Sequence, residues 1–304
     1  MIIVGAGMAG LLAARMLSHR QPVIWENQKS LPNNHSAVLR FRTSQVGDIL
    51  GIPFKRVNMI KDTLPWRNPI AGSLAYSHKN TGSYRSDRSV TRGLVSEERF
   101  IAPPDLISRM AEGVKIEFGR EYDPNDPHVR GSQVISTIPM PKLMELLDYD
   151  MGPDFHYREG WTITATVREC DAYVSLIVPD PTDPISRISL TGNQMIIELA
   201  REPVSTPTGT AWSAARLLGI DNEDLYDIGE PRKQTYNKII PISDDSRKRF
   251  MLWATNNCHV YSLGRFATWR PGLLLDDLVN DIRLIGRWSG PGGFSYDMAL
   301  HVGR

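Results

Sequence analysis

Three glycines near the amino terminus, Gly5, Gly7 and Gly10, are spaced as a cradle for a pyrophosphate. Gly5 permits a tight turn off a strand. Gly7 lets the backbone approach phosphate oxygens, and Gly10 lets a following helix pack closely on the strand. Met8 and Ala9 lie between them, where the free N–H groups and positive dipole end of a helix would face the phosphates. Glu26 follows Gly5 by 21 residues, close to the spacing at which a carboxylate binds a ribose hydroxyl pair, and Asn27 comes next. Glu26 would repel a 2′-phosphate, which disfavours NADP and leaves NAD and FAD. Arg42 and Arg187 could act on a substrate, because a planar guanidinium fork pairs a carboxylate or phosphate bidentately. For Arg42 the plainer alternative is a surface salt bridge to a neighbouring acid, and for Arg187 an outward-facing place on its strand.

The neighbouring residues supply elements to position these groups. Met1 to Val4 reads as a short buried parallel strand, Leu11 to Leu17 as a helix, and Pro22 to Glu26 as a second strand ending on its acid. Near the other end, residues 250–263 read as β structure that stops at Gly264 and Arg265. Beyond the breaker Pro271-Gly272, the residues Leu274, Leu278, Ile282 and Ile285 recur on one face of a helix, with Asp276 and Asp277 in its first turn. In the middle, residues 162–167 alternate as a half-buried strand does. Residues 173–178, 185–190 and 195–200 are further strands separated by turn clusters, and Arg187 falls inside one of them. Residues 211–218 and 223–226 read as short helices, and residues 82–93 as a Ser/Arg/Gly-rich loop. Tyr236, Trp253 and Trp269 could wall a site, although core packing is the commoner fate of such side chains.

Bulk composition narrows the classes. The 304 residues carry 35 Lys/Arg against 34 Asp/Glu, so net charge does not advertise a nucleic-acid or membrane partner. The distribution is less even: from Arg40 to Arg99 there are eleven Lys/Arg against five Asp/Glu, an excess of six positive charges. A solvated face is the plain reading of that excess, and a phosphate-facing surface the functional one. No apolar run approaches the ~18 residues that span a bilayer, and the first residues already read as structure rather than as a leader. The chain is therefore expected in the cytoplasm, with Cys170 and Cys258 as buried thiols in a reducing compartment. The seven histidines, His35, His259 and His301 among them, show no ligand spacing, so no metal is expected. No Cys-x-x-Cys pair supports a dithiol reductase.

Together the two ends resemble the FAD-dependent oxidoreductase superfamily of amine oxidases, protoporphyrinogen oxidase and UDP-galactopyranose mutase. In that family a strand, a Gly-Arg turn with an aromatic soon after, and a helix starting with an acid form the last FAD-binding segment. The match falls on Gly264, Arg265, Trp269, Asp276, Asp277 and Leu278, and it implies FAD rather than NAD. It also implies that Leu39-Arg40-Phe41-Arg42-Thr43 lies beside the flavin, that Tyr122 lies near the adenine, and that the strand leading to Thr137 re-enters the nucleotide domain. Arg40 and Arg42 stand where the mutases have an apolar residue and a histidine, which counts against sugar-mutase activity.

The fold class implied is α/β: an FAD/NAD(P)-binding Rossmann-like domain built from discontinuous segments, with an inserted antiparallel β-rich substrate domain. Residues 1–60, 95–150 and 238–304 would form the first, 61–94 a short basic insertion with no full helical lid, and 151–237 the second. The activity implied is FAD-dependent oxidation of a C–N bond in an amine or amino-acid-like substrate, with Arg42, Arg187 and Trp269 as candidate catalytic residues. The compact size, the missing leader and the basic flavin-side segment are also similar to flavoenzymes of bacterial viruses that tailor hypermodified thymines. The substrate is thus a small molecule or a modified nucleotide, with DNA left open. A non-redox flavin mutase and a non-catalytic flavin-binding protein remain as alternatives, and the sequence does not speak to oligomeric state.

Overall fold

A computed structural model describes residues 1–31, 39–85, 90 and 93–289. His35, His301, half of the loop at 82–93 and the end of the expected segment 238–304 lie outside the described residues. Two sheets organise the rest.

The first sheet is parallel throughout, in the spatial order Val260–Ser262, Val134–Ser136, Ile2–Val4, Val23–Glu26, Lys115–Phe118. Its central strands are apolar and buried on both faces, as a parallel sheet between helices requires. On one face the helix Met8–Met16 buries Leu11, Leu12, Ala13 and Ala14, and the last helix, Leu275–Trp288, packs beside it through Leu278, Val279, Ile282 and Ile285. Each fully buried Leu or Ile there contributes roughly 1.5–3 kcal/mol, and this joins the first and last elements of the described chain into one core. The opposite face is covered by Met140–Leu146 and Asp244–Cys258.

That last helix corrects the expectation of β structure over 250–263, of which only Val260–Ser262 is strand. Phe250, Trp253 and Thr255 have strand propensity, but context overrides it. The Ser243 side chain caps the helix by accepting from the Ser246 N–H at 3.1 Å, Asp244 and Asp245 sit in the first turn, and the buried Phe250 and Ala254 are one turn apart.

The second sheet runs Leu225–Tyr226, Tyr157–Val167, Gln194–Leu199, Ile185–Gly192, Ala172–Ile177, Lys55–Thr63, Val95–Ile101, Arg40–Phe41, with Arg232–Ile239 also paired to Tyr157–Val167. It is mixed rather than purely antiparallel, because Lys55–Thr63 runs parallel to Ala172–Ile177. The sheets also divide the chain at other places than the expected boundaries. Strands from 40–41, 55–63 and 95–101 belong to the mixed sheet, and Arg232–Ile239 straddles the boundary set at 237. Residues 223–226 are not a helix; a single 3-10 turn at Asn222–Asp224 leads into the strand Leu225–Tyr226.

Helix Pro207–Leu217 covers one face of the mixed sheet with Ala211 and Ala214. A second helix, Pro69–Thr81, packs on strands Tyr157–Val167, Ile185–Gly192 and Arg232–Ile239. It lies inside the stretch expected as a basic insertion, so that stretch is more than a loop. Asn68 caps it by accepting from the Ala71 N–H at 2.9 Å, Pro69 opens it, and Gly82 ends it at φ 75°. Among the described residues, no helix is long and apolar enough to cross a membrane.

Candidate functional site

The glycine turn has the geometry its spacing implies. Gly5 adopts φ +95° and lies so close to Thr137 that an added Cβ would sit 2.2 Å from its Oγ1. Thr137 in turn donates its hydroxyl to the Val4 carbonyl at 2.7 Å. A Cβ on Gly10 would meet the Gly5 carbonyl oxygen at 1.9 Å, so helix Met8–Met16 rests directly on the turn. Gly7 differs: a Cβ there would meet nothing within 4 Å, and the helix it precedes has no side-chain cap. Open space before an uncapped helix N-terminus is what an anion-binding turn needs. The Glu26 carboxylate accepts from the Ala6 N–H at 2.6 Å and the Gln28 N–H at 2.9 Å. That occupies two of its roughly four acceptor positions and locks its orientation beside the turn.

At the carboxyl ends of these strands lies a cavity of 350 Å³ that brings Gly5, Asn27, Tyr122 and Thr137 together with Trp25, Arg120 and Lys142. These residues come from four separate segments. Tyr122 is buried, and burial pushes its hydroxyl up to about 12, so it stays a neutral donor. The Arg120 guanidinium lies 3.7 Å from the centre of the Trp25 ring and is held there by Glu117 and by Asp126 at 3.2 Å. Sequence reasoning missed this flat, pre-set wall, because no local pattern announces a cation stacked on a ring from a distant segment.

The carboxyl-terminal segment reaches the same region. Gly264, at φ +101°, packs against Ala9, with a hypothetical Cβ only 3.2 Å from the Ala9 Cβ. The turn is tied by Thr268, which donates both its N–H (2.9 Å) and its hydroxyl (2.7 Å) to the Gly264 carbonyl. Arg265 and Phe266 line a larger cavity. Asp276 accepts from the backbone N–H groups of Arg42 and Thr43 and from the Thr43 hydroxyl, each at 3.1 Å. Asp277 accepts from the Leu274 N–H at 2.8 Å and lies 3.9 Å from the Arg42 guanidinium. Residues 42–43 are therefore fastened to the N-terminus of the last helix, while the Arg42 side chain stays 54% exposed.

Several candidates turn out to be packing residues. Phe41 is fully buried against Phe54, with ring centres 4.8 Å apart, and Leu278 is in the core. Met8 is buried in the same core, beside the partly buried Ala9, so only their backbone faces the turn. Trp269 is 1% exposed, donates its indole N–H to the Ile240 carbonyl at 2.8 Å and meets Phe155 edge-on at 4.7 Å. It borders a 430 Å³ cavity, but its polar atom is already engaged. Arg40 points into the mixed sheet, donating to the carbonyls of Val174 (2.9 Å) and Leu190 (2.7 Å) and to Thr191 Oγ1. Cys170 and Cys258 are free and half-buried, more open than expected.

Arg187 and Asn27 meet in the largest of the described cavities, 840 Å³ between the mixed sheet and the Gly264–Phe266 turn. Arg187 pairs with Glu198, and Lys238 approaches the same carboxylate at 3.5 Å. Burial alone would raise the Glu198 pKa, but the two cations outweigh it and hold it at about 2; Glu198 in turn raises that of Arg187. Glu198 was legible in principle, as a lone charge inside the apolar run Met195 to Leu199.

No protein-family model matches the chain, and no curated protein matches its sequence. Solved structures do match its fold. An oxidoreductase from Methanosarcina mazei superposes with a TM-score of 0.58 at 11% identity, over 94% of this chain and 99% of that one. The CLA-producing fatty acid isomerase from P. acnes gives 0.57 at 12% identity, covering 95% and 98%. A geranylgeranyl bacteriochlorophyll reductase-like protein from Thermoplasma acidophilum gives 0.54 at 10% identity, covering 98% and 80%. At such identities the likeness is one of fold. What is shared is a Rossmann-type parallel sheet with a separate mixed sheet. That an isomerase and a reductase-like protein both share it means that the fold does not select the chemistry.

Proposed function

We propose that the chain binds FAD and oxidises a C–N bond in an amine or amino-acid-like substrate. The observation that carries the cofactor half is the meeting of the two ends of the chain: Gly264 lies against Ala9, beside an open, uncapped helix N-terminus. The residues fit the group. Backbone N–H groups from Gly7 to Gly10 would hold its pyrophosphate, and Glu26 its ribose hydroxyls. The 350 Å³ cavity at Asn27, Tyr122 and Thr137 would take the adenosine end, and the first turn of the last helix the far end. Bound FAD supplies a two-electron acceptor for hydride leaving the carbon beside nitrogen. The protein's share is to orient the substrate and exclude water. Asp276 fixes the backbone of residues 42–43, and the half-exposed Arg42 guanidinium, 3.9 Å from Asp277, would turn toward an anionic substrate group.

A narrower form places that C–N bond in an adduct on a modified thymine in DNA. The six-charge excess from Arg40 to Arg99 supports it. Against it, Lys55, Arg56, Lys61 and Arg99 are already ion-paired with Asp171, Glu98 and Glu97.

Purified protein mixed with FAD is expected to retain the flavin absorbance through gel filtration, and anaerobic addition of a suitable amine or amino acid is expected to bleach it. Colourless protein that rejects FAD overturns the reading. Retained FAD that no amine reduces leaves the cofactor and removes the C–N chemistry. Mass spectrometry of nucleosides from adduct-bearing DNA, before and after incubation, decides the narrower form; an unchanged profile rejects it.

A further inference from the structure

Helix Pro69–Thr81 is built inside out. The side chains it buries are polar, Ser77, Asn80 and Thr81. Lys79 also turns inward and donates its ammonium to the carbonyls of Val178 (2.9 Å), Asp180 (2.7 Å) and Ile185. The exposed positions of the helix are Pro69, Ile70, Leu74 and His78, with Ile70 74% exposed. A surface helix ordinarily has the reverse pattern, apolar toward the core and charged toward water.

The outward side chains are not scattered. Ile70, Leu74 and His78 recur at four-residue intervals, so they form one row along the helix. Tyr84, 71% exposed, stacks on His78 with ring centres 4.5 Å apart and lengthens the row. Leu94, also 74% exposed, follows Gly93, which lines a 360 Å³ cavity with Trp66, Asn68 and Pro69 at the start of the helix. Single exposed apolar residues are ordinary, whereas a contiguous group marks a contact surface. The charge around this group has one sign. From Leu64 to Arg85 the chain holds Arg67, Lys79 and Arg85 and no Asp or Glu. Exposed guanidinium groups stand at both ends of the row: Arg67, 5.4 Å from the centre of the Trp66 ring, and Arg158, which lies against Gly82.

We propose that this row rests on an anionic lipid surface. Ile70, Leu74, Tyr84 and Leu94 would enter the boundary between headgroups and acyl chains, and Arg67 and Arg158 would meet the phosphates. A second copy of the chain fits the row less well, because whichever way two such rows run, their ends bring guanidinium groups together. Nucleic acid also fits less well. Its binding rests on cations ranged along phosphates, and the row offers mainly aliphatic side chains. The inference goes beyond the flavin chemistry proposed above and does not rest on it.

The test floats the whole chain through a density gradient with vesicles of phosphatidylcholine alone, or of equimolar phosphatidylcholine and phosphatidylglycerol. Flotation is expected with the second kind, and it should weaken as salt rises. Ile70→Ser/Leu74→Ser is expected to lower the affinity at least tenfold, and Arg67→Gln/Arg158→Gln to lower it several-fold on the anionic vesicles only. All four positions are exposed, so melting temperatures close to that of wild type should show that both variants are folded. No flotation with either vesicle, or equal flotation of wild type and the Ile70→Ser/Leu74→Ser variant, overturns the proposal. So does a dimer that forms without lipid and is lost in that variant, which gives the row to a second copy. A gel shift of duplex DNA that the variant loses, with no flotation, also overturns it and gives the row to nucleic acid.

Discussion

Beside the parallel sheet, the groups proposed to hold a ligand belong mostly to the backbone: the turn at Gly7 and the uncapped N–H groups of helix Met8–Met16. Along the mixed sheet the cavity is lined instead by side chains, Arg187, Glu198 and Lys238, gathered from three strands. The first arrangement depends on what is missing, namely a Cβ. The second depends on charge balance. The two halves should therefore fail in different ways.

The largest effect expected is at Gly10. An alanine there puts its Cβ 1.9 Å from a backbone oxygen that has nowhere to go, so the turn must open. We expect Gly10→Ala to destabilise by more than the ~1–3 kcal/mol of ordinary overpacking and to lose FAD as well. Gly7→Ala makes the contrast: at φ −71° and with nothing within 4 Å, it should leave the urea midpoint nearly unchanged while weakening FAD at least tenfold. If Gly7→Ala retains FAD with wild-type affinity, the open space before the helix is not a phosphate site and the backbone half of the comparison breaks.

The same contrast explains what could be read from the sequence. Strand, glycines, helix and acid occur in order within the first 26 residues, and each has a local physical cause, so the parallel sheet was legible down to Thr137 and Gly264. The Lys55–Thr63 and Val95–Ile101 strands were not, because both are rich in charged residues whose partners, such as Glu97 for Lys61 and Arg99, lie on the neighbouring strand or two residues away. Helix Pro69–Thr81 was missed although Asn68, Pro69 and Gly82 mark both its ends; its buried face is polar, with Ser77, Asn80 and Thr81, so hydrophobic periodicity gave no signal. The Glu198 cluster is non-local by nature. Its charge was visible, but its partners come from strands that pair only in the fold.

The mixed sheet should be the half that senses acid. The Glu198 pKa is held at about 2, below its ordinary value of 4.5, so the folded state binds its proton less readily than the unfolded chain. A depressed carboxylate contributes its stability in full above about pH 4.5 and loses it as pH falls toward 2. Urea unfolding at stepped pH should show wild type losing up to about 3 kcal/mol across that window relative to Arg187→Met/Glu198→Met, which has no such group. Parallel pH profiles for the two proteins would mean that the cluster is not coupled to folding.

Trp269 sharpens the comparison at the border between the halves. Its sequence position beside the Gly-Arg turn suggests a wall of the active site, whereas its surroundings are those of a core residue: 1% exposure, an edge-on contact with Phe155, and the indole N–H given to Ile240. Trp269→Phe keeps a ring at the site but leaves the Ile240 carbonyl without its donor and part of the indole volume empty. That should cost about 2 kcal/mol, seen as a lowered urea midpoint at unchanged slope. FAD affinity and the rate of flavin bleaching by substrate should stay within about twofold of wild type, a change worth less than ~0.5 kcal/mol. The opposite pattern, wild-type stability with bleaching slowed tenfold or more, would return Trp269 to the chemistry and move the boundary of the site from the backbone turn at Gly264 to the indole behind it.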